Sequence, residues 1–161
     1  MLTVTRDENE YCKSIQLIGK KYTNGGAWGL WWQNGWFDIL ENTSGLSPLN
    51  DNGYIGLMRN SAEGFEYWIG MFFDKETDLP AGFESLDIPD TAFASFRIYG
   101  SEQAGEIYGE VPHRMCIEIL KDNKTDVFSD GLRFERYNCP RYTSPDRQGN
   151  VILDYLIAIK Q

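Results

Sequence analysis

Short apolar segments with two-residue alternation recur along most of this chain. Only two stretches change to the three- and four-residue spacing of a helix. A first strand is expected at residues 12–20, where Ile15, Leu17 and Ile18 supply apolar positions before Lys20-Lys21 turns the chain outward. Thr23-Asn24-Gly25-Gly26 ends that pattern. Across residues 27–40, Trp28, Trp31, Trp32, Gly35, Trp36 and Ile39 recur at helical spacing and predict one amphipathic helix. Residues 42–53 are rich in Asn, Ser, Gly and Pro, which predicts a loop.

Residues 54–59 and 65–73 form a hairpin-like pair of strands, followed by a polar connection at 74–82 containing Pro80. Further strands are expected at 83–88 and 92–99. Residues 102–121 have the length of a helix, but Pro112 is expected to divide it into pieces at 103–109 and 113–120. Strands at 132–137 and 151–160 complete the pattern. The order strand, helix, strand, strand thus runs from residue 12 to 73 and again from 92 to 160. This predicts one α+β domain over residues 1–161. Two pseudo-symmetric strand-helix-strand-strand units, about 11–75 and 83–161, would form a concave antiparallel sheet with two helices and a central groove.

Charge narrows the partners. With 24 acidic and 15 basic residues the formal charge is −9, a surface that repels phosphate backbones and attracts cations. Direct nucleic-acid binding is therefore not expected. The first ten residues carry Asp7, Glu8 and Glu10 and lack an apolar leader, and no apolar run approaches the ~20 residues of a membrane span. Cys12, Cys116 and Cys139 are odd in number and lack ligand spacing, so they are read as free, mostly buried thiols in a reducing compartment. A cytoplasmic location without membrane contact follows as the expectation. His113, the only histidine, excludes a histidine-rich zinc site and is read as a surface or turn residue after Pro112. Asp122, Asp126 and Asp130 lack the glycine and closing glutamate of a calcium loop and are read as a solvated turn. No cofactor or metal is expected.

The chemistry concentrates in Gly131-Leu132-Arg133-Phe134-Glu135-Arg136-Tyr137. On a strand Glu135 shares a face with Arg133 and Tyr137, opposite Leu132 and Phe134. A carboxylate held among aromatics is costly to bury, and a bound cation would relieve that cost. The alternative is a carboxylate bonded to Tyr137 or an arginine and serving structure alone. Aromatics make up 14% of the chain, and four of its five tryptophans fall within residues 28–36, denser than a core requires. Trp31, Trp32 and Trp36 cannot all face the sheet, since 31 and 32 lie about 100° apart around a helix. Some could line a groove. Tyr67 and Trp68 point to opposite faces, and Trp68 is the choice for the groove because its same-face neighbour Gly70 leaves room.

Four pieces resemble the GyrI-like domain, the effector-binding domain of AraC- and MerR-type bacterial regulators. They are Tyr67-Trp68-Ile69-Gly70; Ile88-Pro89-Asp90-Thr91-Ala92-Phe93-Ala94-Ser95-Phe96 with Gly100 after it; Phe134-Glu135-Arg136-Tyr137; and Asp154-Tyr155-Leu156-Ile157-Ala158-Ile159-Lys160. Phe93 stands where the family has Tyr, Ala158 where it has Pro, and the Trp-rich first helix is unusual. The resemblance runs from about Cys12 onward and is greatest to stand-alone members, including those on integron cassettes. About ten residues precede the first strand, so no DNA-binding unit is expected.

The resemblance implies a groove for amphipathic, cationic aromatic small molecules, as in multidrug sensing or sequestration, with Glu135 meeting the positive charge. Phe96 and Tyr108, placed by the family pattern, join Glu135, Tyr137, Trp68, Trp31, Trp32 and Trp36 as expected ligand-binding residues. A separate, unidentified regulatory protein would give the output. Two other activities occur among similar proteins: hydrolysis of cyclopropane-bearing genotoxins by groove Glu and Tyr residues, and direct contact with DNA gyrase. In the first, Glu135 and Tyr137 would position water; in the second, an acidic surface patch would matter and the groove would not. Binding without catalysis is the favoured expectation.

Overall fold

A computed structural model describes residues 1–161. Its elements are β1 (Thr3–Arg6), β2 (Glu10–Cys12), β3 (Ile15–Tyr22), α1 (Trp28–Asn34), α2 (Trp36–Glu41), a short 3-10 helix (Pro48–Asn50), β4 (Gly53–Ser61), β5 (Gly64–Asp74), β6 (Glu84–Ile88), β7 (Thr91–Ser101), α3 (Glu110–Asp122), β8 (Arg133–Asn138) and β9 (Asn150–Ile159). All nine strands join one antiparallel sheet in the order β1-β7-β9-β8-β4-β5-β3-β6, with β2 also on β7. The units β3-α1-α2-β4-β5 and β7-α3-β8-β9 meet at their second strands, so β7-β9-β8 is mirrored by β4-β5-β3. The α+β class and the repeated order are as the pattern predicts.

The differences have local causes. Residues 27–40 form two helices instead of one, because Gly35 adopts a left-handed φ of 64° and its N–H caps the carbonyls of Trp31 and Trp32. Residues 103–109 are turns, with Gly105 and Gly109 at positive φ, and not a helix. Pro112 sits in the first turn of α3, where its missing N–H has no partner to lose, so α3 is one continuous helix. There are thus three helices where two were expected. The first expected strand is split: Ser14 at φ 55° separates β2 from β3. Strand β1 was not anticipated, since Thr3–Arg6 carries little apolar pattern; it adds to the edge at β7.

Both faces of the sheet are buried. One packs Ile69, Met71, Phe73, Phe96 and Leu153 against Trp31, Phe37 and Leu40 of the first two helices and Cys116 and Leu120 of α3. The other gathers Leu17, Ile55, Leu57, Trp68, Phe72, Phe93, Phe134 and Leu156 with Leu49 of the short 3-10 helix, and no α-helix packs on it. There the sheet covers itself: Phe72 and Phe93, each two strands from β8, meet Phe134 edge-on at 4.9 and 5.1 Å between centroids.

Beside this second cluster lies a buried ion network. Arg136 Nε donates to Asp154 Oδ2 at 2.8 Å, and the two side chains are 1% and 0% exposed. Arg136 also reaches both Glu10 oxygens and the Leu49 carbonyl, while Arg141 and Arg97 complete the shell of Asp154. Burial by itself would raise the Asp154 carboxyl, but hydrogen bonds from Arg141 and Arg136 and the nearby charges hold it below its ordinary value. The network ties β2, β8, β9 and the Pro48–Asn50 turn together.

Removing one partner strands the others. Asp154→Ala is expected to lower the unfolding free energy by about 3–5 kcal/mol, read by urea denaturation at neutral pH. Because the folded carboxyl lies below its unfolded value, its contribution is complete above the ordinary aspartate range. It drains away as pH falls through the folded value, so the wild type loses stability on acidification and the variant loses less.

Candidate functional site

Alternation along β8 sends Arg133, Glu135 and Tyr137 to the helix-bearing face and Phe134 and Arg136 to the other. Glu135 is paired with Gly56 of β4 on one side and Tyr155 of β9 on the other. Gly56 is required there: a Cβ at that position would stand 2.4 Å from Tyr67 Oη and 3.1 Å from Glu135 Oε1. The phenol of Tyr67, from β5, uses this gap to donate to Oε1 at 2.7 Å. Tyr137 Oη donates to the same oxygen at 3.1 Å, and Trp28 Nε1 donates to Tyr67 Oη at 3.1 Å. No protein group donates to Oε2, and no salt bridge reaches Glu135, which is only 8% exposed. Burial raises its carboxyl above the ordinary glutamate value, opposed by the two phenols and the charge of Arg133. The phenols of Tyr67 and Tyr137 are pushed up in turn, first by burial and then by the carboxylate.

Above Glu135 opens a cavity of about 1120 Å³. Its floor is Glu135, Tyr67 and Tyr137 with Met58 and Met71; its walls include Trp28, Trp32, Tyr54, Tyr108 and Tyr142. The aromatic side chains hold one another in place. Trp28 meets Tyr137 edge-on at 4.7 Å, Tyr137 meets Tyr142 at 4.8 Å, and Tyr54 stacks on Phe37 at 3.9 Å. Tyr108 and Tyr142 are joined hydroxyl to hydroxyl. The charged residues of the lining are Glu41, Asp51 and Glu135; no lysine, arginine or histidine lines it. Such a chamber can hold an apolar, aromatic body and place a positive centre at Glu135 Oε2.

Of the expected site residues, Glu135, Tyr137, Trp32 and Tyr108 converge on this cavity. Trp31 does not: it is fully buried, donates to Tyr22 Oη at 3.0 Å and fills the core. Trp36 packs on Trp31 and carries the Lys20 ammonium 4.3 Å above its ring, away from the cavity. Phe96 is core, paired with Tyr155. Trp68 belongs to the opposite face, where its Nε1 donates to Glu66 Oε1 at 2.9 Å. Its neighbour Gly70 does not leave room for a ligand, because a Cβ there would lie 2.2 Å from the Ile18 carbonyl of β3. Tyr67 is the groove residue of that pair. Trp28, Tyr54, Tyr67 and Tyr142 are the additions; Tyr67 is admitted by Gly56, directly across from Glu135 in the β4–β8 pairing.

His113 lies within α3, half-buried, with Nδ1 2.7 Å from Tyr155 Oη, so it is neither a turn nor a free surface residue. Cys12 and Cys116 are buried thiols and Cys139 is exposed at the cavity rim; all three are unpaired. The Asp130 carboxylate accepts from the Leu132 N–H and shapes the turn before β8. No helix is long and apolar enough to cross a membrane.

The fold is the one that the GyrI-like resemblance implies, and two solved structures share it. SAV2435, solved bound to tetraphenylphosphonium, aligns with TM-score 0.66 and 16% identity, covering 99% of this chain and 94% of that one. A protein assigned to bacterial transcription regulation, from Staphylococcus aureus MU50, aligns with TM-score 0.62 and 18% identity over 100% and 99% of the two chains. An integron cassette protein from Vibrio cholerae reaches TM-score 0.37 at 12% identity, covering 99% and 95%, too distant to bear on the fold. No protein-family model matches the chain, and no curated protein matches it by sequence.

Tyr67→Phe removes the shorter of the two phenol bonds to Glu135. The carboxyl, already raised by burial, should titrate at a still higher pH, because the lost bond favoured the ionised form. A carbon-13 NMR titration of labelled glutamate reads this directly, and a downward or absent shift would refute the role given to Tyr67.

Proposed function

We propose that this protein reversibly binds amphipathic, cationic aromatic small molecules in the cavity over β8, with Glu135 as the charge anchor. The observation that carries this reading is a buried carboxylate that has one oxygen unclaimed, no salt bridge, and an aromatic chamber above it. An ionised Glu135 with no cation beside it is costly to bury, and this cost is what raises its carboxyl above the ordinary glutamate value. A cation within a few ångströms offsets that cost. The cavity-lining rings of Trp28 and Trp32 add about 0.5–2 kcal/mol each where a cation lies over them. The structural neighbour bound to tetraphenylphosphonium, a lipophilic aromatic cation, supports the same ligand class. Reversible occupancy suits sensing or sequestration.

Binding and protonation compete for one carboxylate. Affinity for a permanent cation should therefore fall as pH drops through the raised Glu135 value, with a proton released on binding near that pH. The test is a titration of tetraphenylphosphonium followed by tryptophan fluorescence, in wild type and Glu135→Gln. The variant should keep its far-UV circular dichroism, bind at least about tenfold more weakly, and lose the pH dependence. Equal affinity in both proteins, or saturation in neither, would defeat the proposal.

A further inference from the structure

We propose that the cavity is built for dications: two positively charged aromatic heads joined by an apolar linker, one head at Glu135 and the other at Glu41 on the rim. This rests on the cation-binding reading above and extends it to a second charge. The three carboxylates of the lining differ in what they already hold. Asp51 is committed to Arg141 at 2.8 Å and lies 3.9 Å from Arg136, so its charge is matched by the protein. Glu135 and Glu41 have no cationic partner among the salt bridges of the chain. A chamber with two unmatched carboxylates and no lining base has an excess of two negative charges.

The second position has the same construction as the first. Tyr54 Oη donates to Glu41 Oε1, as Tyr67 and Tyr137 donate to Glu135. Burial and the neighbouring carboxylates of Glu41 and Asp38 raise the Tyr54 phenol, keeping it a donor. The ring of Tyr54 is fixed by its stack on Phe37 and by an edge contact with Trp32 at 5.4 Å, leaving an aromatic wall beside Glu41. Tyr54 stands two residues before Gly56 on β4, on the same face, about 7 Å along the strand from the pair that holds Glu135. The two carboxylates are thus held by different phenols, Glu41 by Tyr54 and Glu135 by Tyr67 and Tyr137, and share no hydrogen-bond partner. At about 1120 Å³ the space is at the upper end of the roughly 300–1,000 Å³ of ordinary small-molecule pockets, large enough to admit a two-headed ligand.

The two ends should differ in strength. Glu41 is exposed, so water and salt screen its attraction, while Glu135 is shielded. The experiment compares N-decylquinolinium with decamethylene-bis-quinolinium by calorimetry, using wild type, Glu41→Gln and Glu135→Gln. In wild type the bis-cation should bind about fivefold or more tighter than the single-headed compound, beyond the twofold owed to having two heads. Glu41→Gln should lower this ratio to about the statistical factor, and added salt should erode the ratio in wild type. Glu135→Gln should weaken both compounds. Shortening the linker to two methylenes should abolish the advantage, because one head then cannot reach the rim.

A ratio unaffected by Glu41→Gln, or no advantage for the bis-cation in wild type, overturns the dication assignment while leaving the single cation site intact. Undiminished binding of N-decylquinolinium to Glu135→Gln removes the anchor itself, and both readings fall together. Glu41 is at the end of an exposed helix turn, and an unchanged thermal melt for its Gln variant confirms that the ratio reports charge and not folding.

Discussion

The Arg136–Asp154 pair across β8 and β9 is the constraint on which the site depends. It is buried on the face away from the helices, and every nitrogen of Arg136 is engaged there by Asp154, Glu10 or the Leu49 carbonyl. Side chains alternate, so fixing Arg136 on that face fixes Glu135 and Tyr137 on the other. A one-residue slip of β8 would put a guanidinium into the aromatic chamber and a carboxylate against Asp154 and Glu10 in place of the arginine that holds them. Both errors leave charge buried without a partner, and the penalty for each is large. The network therefore specifies register, and register specifies the charge of the cavity.

Given that register, the chamber follows from what is missing and what is bent. Gly56 removes a side chain directly beside Glu135, and the Tyr67 phenol fills the space at hydrogen-bond distance. Gly35 breaks the tryptophan helix, so α1 and α2 present different residues to the sheet. Trp31 and Phe37 become core, while Trp28 and Trp32 turn toward the cavity and Trp36 takes the Lys20 ammonium. Aromatic abundance thus serves two purposes that share an edge: the core rings buttress the ligand-facing rings.

Much of this was legible before the structure. The strand-helix-strand-strand order, the face of Glu135 and its neighbour Tyr137 follow from alternation and hold in the fold. The split of the first helix was not, because Gly35 also fits a helical spacing and only its left-handed φ reveals the break. The choice of Trp68 over Tyr67 failed because a glycine in a strand has two explanations, room for a ligand or close approach of backbone. At Gly70 the second applies: Gly19 and Gly70 face each other where β3 and β5 approach too closely for any side chain. At Gly56 a third applies, room for the protein's own Tyr67 phenol, and recognising it needs the pairing of β4 with β8, which no local pattern supplies. Trp31 and Phe96 illustrate a plainer limit: period identifies a buried face, and only packing tells core from cavity.

The two halves of the sheet are related in order but not in chemistry, and that asymmetry explains why Glu135 stays free. Two basic residues share its face: Arg133, two residues away on β8, and His113 of α3, which sits against Tyr155. Arg133 spends one nitrogen on the Gly131 carbonyl at 3.0 Å and makes no salt bridge with Glu135. His113 is engaged with Tyr155, and burial together with the charge of Arg133 pushes its imidazole below the ordinary value, which disfavours a positive charge there. The α3 side is therefore occupied by a His–Tyr contact and a buried thiol, whereas the α1–α2 side is open and aromatic. A symmetric pair of helices closing on Glu135 from both sides would have sealed it or neutralised it. One closed side and one open side leave a carboxylate that the protein supports with phenols but does not pair, and pairing is what a ligand cation brings.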